Sequence, residues 1–466
     1  MTAPQTLTTL PAGDLTPAEA FRRLRAHPSL RAVALLESAQ SAGPTGRFSF
    51  IALNPFLRVR SIGSTVTLSG RLTRTVHGRP LSILRSLLAR YAVPSPSTDL
   101  PPFLAGAVGY FGYDLVHWFE RLPRTARKDP AVPDLDLYLT GTVVAFDHQQ
   151  AKLTIAHTPF DDTAAVSTDD IRRALEQNSG GDQSRAAGER RPVTVTAGQT
   201  PAEYESLVRR CLRYIAAGDI FQANLAHRFT VELGAVEPWT IYERLRAINP
   251  SPFAAFLDFD PVRLVSASPE RLVSLQGRRV QTRPIAGTRP RGMEHRQDLA
   301  LVRELLSSEK ERAEHLMLID LERNDLGRVC DYGSIKVDEL MVTERYSHVI
   351  HLVSNIAGRL YPGKDWLDLF QAVFPGGTVT GVPKVRCMEI IDELEPVGRG
   401  PYSGSIGYLS FSGDMDLNIV IRTLIVLERT GHFHVGAGIV ADSDPAREYA
   451  ETLYKAEAIN IALANV

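Results

Sequence analysis

The chain has 466 residues, 44% hydrophobic and 23% charged, with 52 Lys and Arg against 53 Asp and Glu. That composition excludes wholesale disorder. A formal net charge of −1 argues against a nucleic-acid or membrane-surface partner, which selects a basic excess. At about 100–200 residues per domain, the length corresponds to two to four domain-sized units.

Residues 1–10 lack a basic stretch followed by an apolar core, and no apolar run reaches about 18 residues. Neither a signal peptide nor a membrane span is expected. Short β-type runs follow at 48–53, 65–68, 137–146 and 152–156, interrupted by a helical pattern at 81–91. Residues 178–192 read NSGGDQSRAAGERRP. Gly, Ser and charge without large apolar groups predict a flexible linker or long loop. It separates an N-terminal part, 1–177, from a second part, 193–466.

Thr200-Pro201-Ala202-Glu203 spells a capping box with proline at the first helical position. Tyr204, Leu207, Val208, Cys211, Leu212 and Ile215 then recur at helical spacing, and Gly218 supplies the stop. Strand-like runs come at 229–233, 253–259, 264–267 and 278–281, and one long helix is predicted over 297–318. The last third reads as a helix at 382–394, strands at 405–412, 419–427 and 433–440, and a final helix from Pro445. No internal repeat is present. Strands mixed with segregated helices predict an α+β (mixed α/β) architecture. The three cysteines, Cys211, Cys330 and Cys387, are far apart and form no zinc or disulfide pattern, which fits a reducing cytoplasm.

Three constellations carry chemistry. Glu311 and Glu314 share a helix face at i, i+3; Glu448, Glu451 and Lys455 share another at i, i+3 and i+7. Two such faces clamp a hard divalent cation such as Mg2+, or are simply solvated. Pro375-Gly376-Gly377-Thr378-Val379-Thr380-Gly381 precedes a helix and offers backbone N–H groups to an anion, or serves as a tight turn. Gly436-Ala437-Gly438 has dinucleotide-like spacing but does not open a helix, which argues against a nucleotide. Arg422, inside an apolar strand-like run, either pairs with a carboxylate or grips an anionic ligand. His348 and His351 are structural or catalytic.

Wording and order are more specific than any single signal. Gly218-Asp219-Ile220-Phe221-Gln222, Ser268-Pro269-Glu270, Pro284-Ile285-Ala286-Gly287-Thr288-Arg289-Pro290-Arg291-Gly292, Asp320-Leu321-Glu322-Arg323-Asn324-Asp325-Leu326-Gly327 and Gly376-Gly377-Thr378-Val379-Thr380-Gly381-Val382-Pro383-Lys384 occur in that order. In these stretches the chain resembles the chorismate-utilising synthases, anthranilate synthase component I and aminodeoxychorismate synthase component I. The resemblance is densest from 200 to 464 and looser from 7 to 157.

It implies an anthranilate synthase component I-like fold, with two β-sheets packed as a sandwich and helices outside. It also implies roles. Glu314 and Glu451 match the principal Mg2+ ligands, with Glu311 and Glu448 in the same cluster. Tyr402, Arg422, Gly436, Ala437 and Gly438 match positions around the enolpyruvyl carboxylate of chorismate. Lys455 matches a lysine near the substrate carboxylates, and Gly377 and Thr378 belong to the loop around the ring carboxylate. His351 matches the histidine beside the departing C4 hydroxyl, and Glu270 a general acid or base.

Gln222 stands where the isochorismate-forming relatives carry a water-activating lysine, so ammonia rather than water is the implied nucleophile. The resemblance also implies a glutaminase subunit as the ammonia source, because the chain lacks a Cys-His-Glu pattern of its own. At Ala286 the 4-amino enzymes commonly carry a nucleophilic lysine and anthranilate synthases an alanine. The segments 106–114, 222–229, 268–272 and 404–411 lean instead toward the 4-amino enzyme. Finally, Glu37 and Ser38, with Asn249, Pro250, Ser251 and Phe253, resemble a tryptophan pocket. Phe253-Ala254 departs from the Tyr-Met of feedback-regulated enzymes. A buried turn between packed sheets is the other reading.

Overall fold

The computed structural model describes residues 5–39, 46–160, 167–177, 193–292, 294–345 and 349–464. The proposed linker 178–192 and His348 lie outside the described residues. Two 12-stranded antiparallel sheets make up the body. The first runs from Thr6–Pro11 through Ala32–Glu37 and Phe253–Phe259 to Gln222–Glu232 and Val195–Ala197. The second runs from Ile285–Pro290 and Val349–Arg359 through Arg271–Gln276 and Ser405–Ser410 to Gly106–Phe111 and Arg74–His77.

Both sheets cross the boundary at 178–192. In the first, Glu37 pairs with Ala254; in the second, Phe111 pairs with Ser405. Between the sheets lies a core that includes Phe50, Phe103, Tyr110, Leu257, Phe259 and Tyr408. Helices Pro17–Ala26, Pro238–Ile248 and Pro445–Ala464 cover the outer face of the first sheet, and Pro80–Ala89, Glu309–Gly327 and Trp366–Val373 that of the second. Each large aliphatic or aromatic side chain sealed in these layers contributes about 1.5–3 kcal/mol. Among the described residues, no helix is long and apolar enough to cross a membrane.

The capping box is present. Thr200 Oγ1 accepts from the Glu203 N–H at 3.3 Å, and the Thr200 N–H donates to Glu203 Oε2 at 2.7 Å, opening helix Pro201–Ala216. Three predicted elements differ from what forms. The run 137–146 is two strands, Leu135–Thr140 and Thr142–Asp147, broken at Gly141, where a Cβ would lie 2.1 Å from the Thr158 carbonyl. The helix over 297–318 is two, His295–Ser307 and Glu309–Gly327, because Ser308 turns extended and caps the second by accepting from the Glu311 N–H. The strand 419–427 is interrupted: pairing stops at Met415–Asn418 and resumes at Thr423–Leu427. Arg422 therefore lies in a break, not inside a strand, and takes φ +50°. That left-handed conformation costs a non-glycine residue about 1 kcal/mol or more, and such strain collects at functional sites.

Candidate active site

The site lies where ends of both sheets meet helices Glu309–Gly327 and Pro445–Ala464. Strand Gln222–Glu232 begins with Gln222, whose Nε2 donates to Glu314 Oε1 at 3.1 Å. In the register of the partner strand Thr430–Ile439, Gly438 pairs with Asn224 and Gly436 with Ala226, so each glycine also lies diagonally beside the side chain two residues earlier, Gln222 and Asn224. These glycines are close-approach positions. A Cβ on Gly438 would lie 2.5 Å from Gln222 Nε2, and one on Gly436 would lie 2.4 Å from Asn224 Oδ1 and 2.9 Å from the Tyr402 hydroxyl. Ala437 packs on the far face among Tyr204, Leu225 and Ile391. Lys455 Nζ reaches back from the final helix to donate to the Gly436 carbonyl at 2.9 Å.

The second sheet supplies Ala286 and His351, and Glu270 sits in the connection that carries the chain from the first sheet into strand Arg271–Gln276 of the second. Glu270 is buried, and its Oε1 accepts from the Ile285 N–H at 3.3 Å. Burial pushes its carboxyl up to about 7, against the pull of that N–H, Thr378, Arg422 and Lys455. The Thr378 hydroxyl acts on this carboxylate from close by without meeting strict hydrogen-bond geometry. A carboxyl held there exchanges protons at neutral pH. Ala286 is buried beside Ile285 and pairs with Leu352, presenting only a methyl group. His351 is pushed down to about 3 by burial and by the charge of Arg422, so its imidazole is neutral at pH 7. Arg422 thus acts electrostatically on both Glu270, in a connection, and His351, in strand Val349–Arg359.

The acidic cluster joins helix Glu309–Gly327 to helix Pro445–Ala464. Burial, then the charges of Glu311 and Glu451, raises the Glu314 carboxyl above its ordinary value. Burial and Glu451 do the same to Glu448. Among the described residues no three His, Cys, Asp or Glu side chains converge closely enough to hold a metal ion. Two of the acids are already engaged: Glu311 with Arg289 at 3.0 Å, and Glu451 with Lys455 at 2.8 Å. Glu314 has only a neutral amide. Hard oxygen donors whose charges repel one another fit a divalent cation chemically, which would compete with Arg289 and Lys455 for Glu311 and Glu451.

Sequence reasoning missed Arg399, which is fully buried. Its guanidinium bonds both Glu395 oxygens at 2.6 and 2.9 Å, the Val379 and Asn224 carbonyls at 2.7 and 2.8 Å, and Ser403 Oγ at 3.0 Å. One side chain therefore ties the glycine loop to the Gln222 strand and the Tyr402 turn. Its i, i+4 spacing from Glu395 was the available signal. Tyr402 itself stacks on His434 with centroids 5.1 Å apart, and burial pushes its phenol up to about 12, so it stays a neutral donor.

The other predicted group comes together elsewhere. The Ala39 N–H donates to the Ser251 carbonyl at 3.1 Å, joining the segment that holds Glu37 and Ser38 to that of Asn249 and Pro250. Glu37 is buried, bonded to Arg246 at 2.6 and 2.9 Å and to the Tyr242 hydroxyl at 2.6 Å. The Ser38 N–H donates to Ser49 Oγ, Ser251 Oγ donates to the Ala267 carbonyl, and Phe253 lies under Arg271, 5.1 Å from ring centroid to guanidinium.

Comparison with known proteins matches this arrangement. A family model described as chorismate binding enzyme matches residues 36–460. Anthranilate synthase component 1 of Thermus thermophilus is 45% identical over 91% of this chain and 90% of its own. Aminodeoxychorismate synthase component 1 of Bacillus subtilis is 41% identical over 92% and 91%. The crystal structure of anthranilate synthase component I from Streptococcus pneumoniae superposes with a TM-score of 0.77 at 34% identity, covering 97% of this chain and 99% of that one. The chain belongs to the chorismate-binding enzymes. Within them it is a chorismate-utilising enzyme of the anthranilate/aminodeoxychorismate synthase type.

Proposed function

We propose that the chain is the large subunit of a glutamine-dependent synthase that aminates chorismate to 4-amino-4-deoxychorismate, the precursor of 4-aminobenzoate. The amination reading is carried by Gln222: where the resemblance puts a water-activating lysine in isochorismate-forming relatives, the side chain facing Glu314 is a carboxamide, which cannot take a proton from water, and this favours ammonia as the nucleophile. The chain offers no thiolate for glutamine hydrolysis. All three cysteines are buried, and burial raises each thiol, Cys211 to about 12 and Cys330 to about 11. Ammonia then comes from a separate glutaminase subunit.

In this reading Arg422, Lys455 and the Tyr402 hydroxyl hold the carboxylates of chorismate. Glu270, near its midpoint at neutral pH, exchanges the proton that accompanies bond making and breaking. His351, neutral, offers hydrogen bonding rather than charge to the leaving C4 hydroxyl. Mg2+ is assigned to Glu314 and Glu451, flanked by Glu311 and Glu448, where it would supply Lewis-acid stabilisation of the departing oxygen. The glycines at 436 and 438 leave room for substrate against the strand backbone. The Glu37–Phe253 region is read as a packed turn, because the Glu37 carboxylate and the Ser251 hydroxyl have internal partners.

A second reading, anthranilate synthase component I, is favoured by Ala286, whose methyl cannot attack C2, and by the Thermus relative. The purified chain, incubated with chorismate, Mg2+ and ammonium, separates the two. Anthranilate and pyruvate formed directly establish the second reading. 4-Aminobenzoate formed only when an aminodeoxychorismate lyase is added establishes the first, and no product refutes both. Ala286→Lys sharpens the test: without ammonia, the lysine amine attacks C2 as the C4 hydroxyl leaves. The protein should then gain the mass of chorismate less one water, and an unchanged mass spectrum counts against the 4-amino geometry.

A further inference from the structure

Behind the site lies a second buried acid. Glu322, on helix Glu309–Gly327, is 4% exposed, and a Cβ on Gly377 would lie 3.8 Å from its Oε1. Its Oε2 is 3.0 Å from Thr282 Oγ1, which is also 3.0 Å from the Leu272 carbonyl. A hydroxyl has one proton to give. Leu272 sits at a register shift of both flanking ladders, so its carbonyl competes with Glu322 for the one Thr282 proton, and a protonated Glu322 lets both acceptors be satisfied. The neighbouring groups agree. Asp325 is paired with Lys384 and keeps the negative charge of that corner. Burial first, then the Asp325 charge, pushes the Glu322 carboxyl up to about 8. Glu270 bonds the Ile285 N–H, three residues along the chain from Thr282, and feels Thr378, the residue after Gly377. Both acids thus lie beside the Gly377–Thr378 step, Glu322 at Gly377 and Glu270 at Thr378, and the charge of Glu270 itself helps to raise Glu322.

We propose that Glu322 is a positioning residue acting through Glu270: it keeps a proton beside Gly377–Thr378, so that this step carries at most one carboxylate charge when an anionic substrate arrives. This rests on the chorismate reading. The groups that set the charge there are Arg422 and Lys455 facing Glu270, and Asp325, Lys384, Thr282 and Glu270 itself facing Glu322. Binding of an anion raises the proton affinity of both acids, so binding takes up protons over the range where they titrate. Chorismate carboxylates stay ionised through that range and contribute nothing.

The test is calorimetric titration of chorismate, without ammonia, in buffers of different ionisation enthalpy, from pH 6 to pH 9. Wild-type chain should take up protons on binding across the titration of both acids. Glu322→Gln, which keeps the volume and the bond to Thr282, should bind at pH 6.5 with a Kd within about twofold of wild type and lose roughly half or more of the uptake near pH 8. Glu322→Met, preserving volume without the amide, should show the same loss. Identical uptake profiles in wild type and both variants would overturn the proposal. Absence of chorismate binding by wild type at every pH would instead refute the chorismate reading.

Discussion

Two glutamates show how differently this chain treats a sequestered acid. Glu37 is sealed between the first sheet and helix Pro238–Ile248, with three hydrogen bonds from Arg246 and Tyr242. Glu314, near the junction of the same sheets, receives one bond from a neutral amide and faces two other carboxylates. The first arrangement is complete, and removing a partner leaves a buried ion stranded. The second is electrostatically incomplete: the charges of Glu311 and Glu451 act against an ionised Glu314, a repulsion that the proposed cation would relieve. A folded chain keeps such a cluster at a cost in stability, and the cluster is therefore where function is expected.

The largest break in this contrast should come from Glu314→Ala or Glu451→Ala. Each should lower Mg2+-dependent turnover by about a hundredfold or more, while thermal unfolding shows no loss of stability. Normal steady-state rates in both variants would refute the metal assignment. Glu37→Ala should do the reverse: about 3 kcal/mol of stability lost in urea unfolding, with near-normal turnover per folded molecule. A turnover collapse with intact stability would make Glu37 part of the site.

The smallest effect is a pH-dependent response to Mg2+. Glu314 and Glu448 bind protons more tightly folded than unfolded, so the stability they contribute is fully present below their ordinary 4.5 and is lost as pH rises toward their raised values. Mg2+ should therefore raise Tm by about 1–3 °C at pH 7.5 and hardly at all at pH 4.5. Differential scanning calorimetry on wild type and Glu314→Gln reads this directly. An equal Mg2+ shift in both proteins would place the ion elsewhere.

Local signals were the legible ones. The Thr200–Glu203 capping box marked its helix start because all its bonds form within one turn. The i, i+3 carboxylates were visible as pairs for the same reason. What the sequence concealed was long-range. Arg422 was read into a strand because its neighbours are apolar, whereas the pairing of Ser266 with Thr423 and of Arg271 with Asn418 leaves it in a break. Ser308 was read through because both helices continue the same apolar pattern and only its own conformation stops the first. Arg399 carried no local pattern beyond Glu395, since its other partners lie at Asn224, Val379 and Ser403. The roles expected of Glu270, His351 and Arg422 came from motif resemblance, and that Arg422 acts on both others is visible only in the fold.

The continuity of both sheets across 178–192 also bears on how the chain can be cut. A break placed there severs no described strand, yet each fragment would carry half of each sheet and expose two raw edges, Ala32–Glu37 and Gly106–Phe111 on one piece, Phe253–Phe259 and Ser405–Ser410 on the other. Unpaired edges of this length template aggregation. The halves should accordingly be insoluble when made alone and should recover each other when made together. By the same logic, residues 1–177 cannot be exchanged among relatives as a cassette without matching substitutions along those two seams.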